Sequence, residues 1–282
     1  MRLFFLLLLV SSISVIAQDE QDTAVYRHEK SIMIIPFEEK LYHSEIDRDL
    51  AGESGQDHAT IVREFVMGTA FQFKYELLYR YKAFTLINSL EDSVRSDMDL
   101  LYANIGYEYK VLKDSTANEE GNVIAGKLNR LKASTQKTGT YMKNGEIVSV
   151  KDERKKFMST IIRSDTILPY MNYRYEADYY LFINQIDLVN DLSDANQVSL
   201  GNYDRILRFH YSVLDQKGKT IDEGVLEQRF SKNENDIKII VNEHIKACAT
   251  TLRKKLGMRE TNQEEVKPTK SIVMPLKKLN KH

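Results

Sequence analysis

Residues 31–37 read Ser31-Ile32-Met33-Ile34-Ile35-Pro36-Phe37, a compact apolar run closed by proline. Unbroken aliphatic residues over so few positions mark a strand buried on both faces, and the proline, which cannot donate to a ladder, marks its end. Working outward, His58 to about Tyr81 carries Val62, Phe65, Val66, Thr69, Phe73 and Leu77 at three- and four-residue spacing. That spacing puts them on one face of a helix. Phe84-Thr85-Leu86-Ile87 follows as a short strand. Strand, helix, strand in this order predicts a parallel pair joined by a right-handed crossover.

Three more strands are expected at Asp178 to Leu188, Ile206 to Leu214 and Thr220 to Phe230. The last two flank Asp215-Gln216-Lys217-Gly218-Lys219, whose glycine suits a positive-φ turn, so they should form an antiparallel hairpin. Asp236 to Leu256 is the clearest helix, with Ile237, Val241, Ile245, Cys248, Leu252 and Leu256 on one face and Gly257 expected to end it. Between the two groups, 89–166 reads as an insertion. It has helical stretches at Leu90 to Leu112, Glu119 to Ala133 and Arg154 to Arg163, and an Asn144-Gly145 hairpin between Tyr141 and Val148. The fold class is α/β (α+β): a mixed β-sheet flanked by helices, with a helical and hairpin insertion, forming one domain over 31–258.

The ends read differently. Met1-Arg2, an apolar run from Leu3 to Val10, and Val15 and Ala17 ahead of Gln18-Asp19-Glu20 have the three parts of a secretory signal peptide cleaved after Ala17. The run is too short to span a bilayer, and no later segment approaches a span, so no transmembrane segment is expected after cleavage. No cysteine follows the cleavage site to carry lipid, which points to a periplasmic or secreted protein. Residues 18–30 read as a polar linker and 259–282 as a basic flexible tail. In that tail Lys270, Lys277 and Lys278 flank the apolar island Ile272-Val273-Met274, which suits either a disordered end or a docking peptide.

Composition narrows the function. A net charge of −1 argues against nucleic acid as the main partner, since phosphate neutralisation needs a basic face, though a local basic patch is compatible with it. One cysteine, Cys248, precludes an internal disulfide, and on the apolar stripe of the last helix it reads as a small hydrophobe. The six histidines, His28, His43, His58, His210, His244 and His282, show no metal-binding spacing. No nucleophile elbow or phosphate loop is present, so no catalytic residue, metal or cofactor is assigned. The acidic loop Glu38 to Asp57, expected to be mobile, offers Glu45, Asp47, Asp49 and Glu53, but not the spacing of a known calcium loop. Triads are assembled in space, so a secreted hydrolase is the alternative that the chain order leaves open.

The compositional oddity is tyrosine. Tyr170, Tyr173, Tyr175, Tyr179 and Tyr180 cluster before and into a strand. Exposed, they would give large contact area at low entropic cost; buried, they would line a core or cover a sheet edge. Tyr170, Tyr173, Tyr175 and Tyr179, with Lys270, Lys277 and Lys278, are the candidate interaction residues.

The aliphatic run ending in Pro36-Phe37, the strand at Phe84, Ala177-Asp178-Tyr179-Tyr180-Leu181 and the turn Leu214-Asp215-Gln216-Lys217-Gly218-Lys219 together resemble a group of bacterial envelope domains. The group comprises the curli-secretion lipoproteins, the lipoproteins that activate penicillin-binding proteins, and the N-terminal domain of the TolB proteins. The resemblance covers roughly 31–88 and 175–257. It lacks the glycine usual after the Ala-Asp-Tyr strand, where Phe182-Ile183-Asn184 stands, and the lipid-bearing cysteine. It implies a non-catalytic protein-binding or assembly module of an envelope or secretion machine, with an envelope protein as partner. Self-association as a homo-oligomer is compatible with the same reading.

Overall fold

The computed structural model describes residues 30–112, 139–143, 146–150 and 155–264. The expected signal peptide and most of the expected linker, the stretch Glu119 to Ala133, and Lys270, Lys277 and Lys278 of the tail lie outside the described residues.

The architecture is the expected mixed α/β sheet. Strand β1 (Ser31–Ile35) pairs in parallel with β3 (Lys82–Phe84) and with the first half of β8 (Tyr179–Asn190). Strand β2 (Tyr42–Ser44) pairs in parallel with the second half of β8. Antiparallel β9 (Asp204–Asp215) and β10 (Thr220–Ser231) extend the sheet to the order β10-β9-β8-β1-β3. The continuous apolar run of β1 follows from having both faces covered. Ile32 and Ile34 point into a core beneath α2 (His58–Leu77) and the C-terminal helix, while Met33 and Ile35 point into a second core with Met98, Leu101, Leu168 and Met171. Those four residues lie on α3 (Asp92–Ala103) and α4 (Ile167–Tyr175).

β8 alternates Leu181 and Ile183 into the first core with Tyr180 and Phe182 into the second. The pairing then slips: Ile183 faces Tyr211, Gln185 faces His210, and Asn184 is the extra residue of a β-bulge. The bulge resets the alternation so that Ile186 and Leu188 return to the first core. It also divides the second face of the sheet. One half is apolar under α3 and α4; the other carries Asn184, His210 and Ser212, all buried.

Over this polar half lies a separate antiparallel pair, β4 (Ile105–Val111) and β7 (Lys156–Ile162), in register Ile105 to Ile162. Both were expected to be helical. In β4 the alternating Tyr107 and Tyr109 after Gly106, and in β7 the run Thr160-Ile161-Ile162, favour extended backbone, and each strand supplies the other's ladder. Helix α4 was not expected. A hairpin at the Asn144-Gly145 signal is present as β5 (Gly139–Lys143) and β6 (Glu146–Val150), paired Lys143 to Glu146; residues 144 and 145 themselves lie outside the described residues.

The acidic segment 38–57 is ordered, with one 3₁₀ turn (Glu39–Leu41), β2 and α1 (Asp47–Ser54). Ile46 and Leu50 anchor it in the first core. Helix α5 (Ala195–Ser199) lies in the β8–β9 connection, and the C-terminal helix begins as α6 (Ile237–Ile239), capped by Asp236, and runs through a π-helical turn (Ile240–Ile245) into α7 (Lys246–Glu264). The π turn widens one step of the buried stripe to five residues, from Ile240 to Ile245, leaving Val241 only half-buried. Val241 rests instead on Gly68 of α2, where a Cβ would lie 2.7 Å from Val241 Cγ1. The helix, expected to end at Gly257, continues through it, and Arg80 in the turn after α2 packs there, its Nη2 donating to the Gly257 carbonyl at 3.3 Å.

Candidate functional site

The tyrosine segment is drawn largely into the fold. Asp97, buried on α3, accepts hydrogen bonds from the Tyr170 phenol at 2.7 Å and the Tyr175 phenol at 2.5 Å, and pairs with Arg174 at 3.0 Å. Burial acts to raise the pKa of Asp97, but these three donors hold it below the ordinary carboxylate value. The contact ties α3 to α4. Tyr179 is half-buried, edge-on to Tyr81, and its hydroxyl accepts from Lys30 Nζ at 2.9 Å. Tyr173 presents 86% of its surface to solvent.

The densest polar constellation lies under β7. His210 Nδ1 accepts the Met158 backbone N–H at 2.7 Å, and His210 Nε2 faces Asp187 Oδ2 at 3.2 Å. Gln185 Nε2 donates to the other Asp187 oxygen at 2.5 Å, and Arg208 stands 3.6 Å from the carboxylate. Burial pushes the Asp187 pKa up, and the hydrogen bonds from His210 and Gln185 more than offset it, leaving a depressed value. Alongside, Asn184 Nδ2 donates to the Met158 carbonyl at 2.8 Å and to Ser212 Oγ at 3.0 Å, and Asn184 Oδ1 accepts from Thr160 Oγ1 at 2.5 Å. Side chains of the sheet thus satisfy backbone groups of a strand that makes no ladder with it. An acid–histidine pair is the material of general-base catalysis. Here both ring nitrogens are engaged by the protein, so the pair serves to seat β7.

The acids of the 38–57 segment turn to separate donors. Asp47 accepts from the Tyr42 phenol and faces His58 Nδ1, each at 2.7 Å, Glu45 accepts from the Asn190 N–H at 2.9 Å, and Asp49 pairs with Arg205. Among the described residues no three His, Cys, Asp or Glu side chains group as a metal site.

A different surface is left uncovered. At the end of α2, Tyr75 and Tyr79 are 56% and 60% exposed, Leu78 sits between them, and Met258 of α7 is 62% exposed beside them. Phe71 stacks on Tyr75 with ring centroids 6.3 Å apart, and the Arg253 guanidinium lies 4.9 Å from the Tyr79 ring centre. Arg253 Nε also stands 3.2 Å from the buried Glu76 carboxylate. Two open hollows flank Tyr79. One of about 480 Å³ is lined by Arg80, Arg253, Lys254 and Met258; the other, about 460 Å³, by Gln72, Tyr75, Leu78 and Lys246. The helical period over 58–81 singles out the inward residues from Val62 to Leu77 and assigns no role to Tyr75 or Tyr79. The cue available in the sequence was the Tyr75–Tyr79 spacing of four at the close of the helical period, which brings two aromatic residues to one side of the chain.

Fold and surface together define a mixed α/β domain with a buried polar cluster under β7 and an exposed aromatic surface at the end of α2. No described protein family and no curated protein matches the sequence. Among solved structures, the lipoprotein GNA1162 from Neisseria meningitidis superimposes over 84% of this chain and 98% of its own, at 11% identity and a TM-score of 0.29. A superposition that loose defines neither fold nor function. Among the described residues no helix is long and apolar enough to cross a membrane.

Proposed function

We propose that this chain is an exported bacterial-envelope protein that works by binding another protein rather than by catalysis. The observation that carries the reading is the contrast between two regions. The acid–histidine cluster at Asp187 and His210 is closed onto β7, whereas Tyr75, Leu78, Tyr79 and Met258 leave an aromatic and aliphatic surface in contact with water. Clustered tyrosine, methionine and arginine are typical of the centres of protein interfaces. The leader read at residues 1–17 supports the compartment, and the lack of a basic excess supports a protein partner over nucleic acid.

In cells that make it, the protein is expected in the envelope or medium fraction, beginning near Gln18, and in a discrete complex after cross-linking. Intact leader on soluble cytosolic protein would refute the compartment. A chain that stays monomeric and uncross-linked at every exposed aromatic position would refute the binding role.

A further inference from the structure

We infer that the surface formed by the end of α2 and the facing side of α7 receives an acidic, amphipathic segment of a partner protein. The inference rests on the protein-binding reading above and names the surface and the chemistry of its occupant. Three features select that occupant. First, Tyr75, Leu78 and Tyr79 form a short apolar ridge between two hollows, a relief that takes alternating side chains of a peptide and that a flat lipid surface would not fill. Second, among the described residues the lining is cationic: Arg80, Arg253, Lys246 and Lys254, with Glu76 as its one acid. Third, the buried Glu76 pairs with Arg253 and the two charges offset each other, so the charge offered to a ligand is that of Lys246 and Lys254, exposed at opposite hollows. A segment with apolar residues for the ridge and carboxylates at its edges matches both the relief and the sign of charge.

The test uses the full chain in the cells that make it. Tyr79 is replaced by the photoreactive p-benzoylphenylalanine, which keeps an aromatic ring at that place, and Tyr173 is replaced in the same way in a parallel strain. The expected result is a cross-link from position 79 to a partner peptide that mass spectrometry shows to be net acidic with interspersed apolar residues. Its yield should fall roughly tenfold in a Lys246→Glu/Lys254→Glu background, as expected for charge reversal beside a contact surface. Both lysines are exposed, and an unchanged melting temperature of the double variant shows that folding is retained. Cross-links from position 79 to lipid, to a second copy of this chain, or to a basic or uncharged segment would overturn the inference, as would a yield insensitive to the charge reversal. Capture at 173 without capture at 79 would overturn this surface and leave the binding role standing. Silence at both positions would overturn both.

Discussion

Gly68 offers a test of how α2 and the π turn fit together. In the middle of a helix, replacing glycine by alanine ordinarily gains about 1 kcal/mol through backbone entropy. Here the added methyl would lie 2.7 Å and 2.9 Å from the two γ carbons of Val241. Valine has one strongly preferred χ1 in helical backbone, so the methyls cannot swing aside cheaply, and overpacking of this kind costs about 1–3 kcal/mol. Gly68→Ala is therefore expected to destabilise the protein by about 0–2 kcal/mol net of its propensity gain. In a Val241→Ala background the obstruction is gone, and the same change should stabilise by up to about 1 kcal/mol. Urea titrations of the four chains, read as midpoint shifts at constant slope, give the coupling directly, expected at about 1–3 kcal/mol. An equal effect of Gly68→Ala in both backgrounds would refute the close approach of Gly68 to Val241, and with it the role of the π turn in setting the distance between the helices.

Asn184 holds Met158, Thr160 and Ser212 together, so Asn184→Ala should cost about 2–4 kcal/mol by stranding buried polar groups, measured by urea unfolding. A loss below about 0.5 kcal/mol would mean that water replaces the side chain. Asp97 has a folded-state pKa below its unfolded value, so its contribution to stability is present above roughly pH 4 and is lost as pH falls through the depressed folded value. Asp97→Asn should thus lower the melting temperature at pH 7 and differ progressively less from the parent toward pH 2–3; a constant difference across that range would count against the carboxylate's role. Cys248 is 2% exposed, and burial pushes its thiol up to about 12. It should resist iodoacetamide at pH 8 in the folded protein and label fully in urea, and rapid native labelling would contradict its place in the core.

The parts of the fold legible in the sequence are those whose pattern is imposed by the central sheet and its first helical layer. β1 is continuously apolar because Ile32 and Ile34 serve one core and Met33 and Ile35 the other. α2 shows a 3.6-residue period because one face packs on that sheet. The β9–β10 hairpin was marked by Gly218, which does sit at φ 76°. β4 and β7 were misread because what stabilises them is distant: each is the other's ladder partner, and β7 is seated by His210, Asn184 and Ser212, none of which leaves a trace in the local pattern of 154–163.

The same argument explains the site. Local density drew attention to Tyr170, Tyr173, Tyr175 and Tyr179, but the partner of two of these phenols is Asp97, separated by 73 and 78 residues. A cluster that is conspicuous in sequence can be conspicuous because the fold itself consumes it. Tyr75, on α2, and Tyr79, in the turn that follows it, are by contrast unremarkable beside an inward stripe that explains the helix's periodicity. Their significance appears only when α7 places Arg253 and Met258 beside them and nothing among the described residues covers the ridge. An interface is a surface that the chain leaves incomplete, and that property belongs to tertiary structure. Tyr75, Leu78 and Tyr79 are accordingly the residues at which a partner's contribution should first be sought.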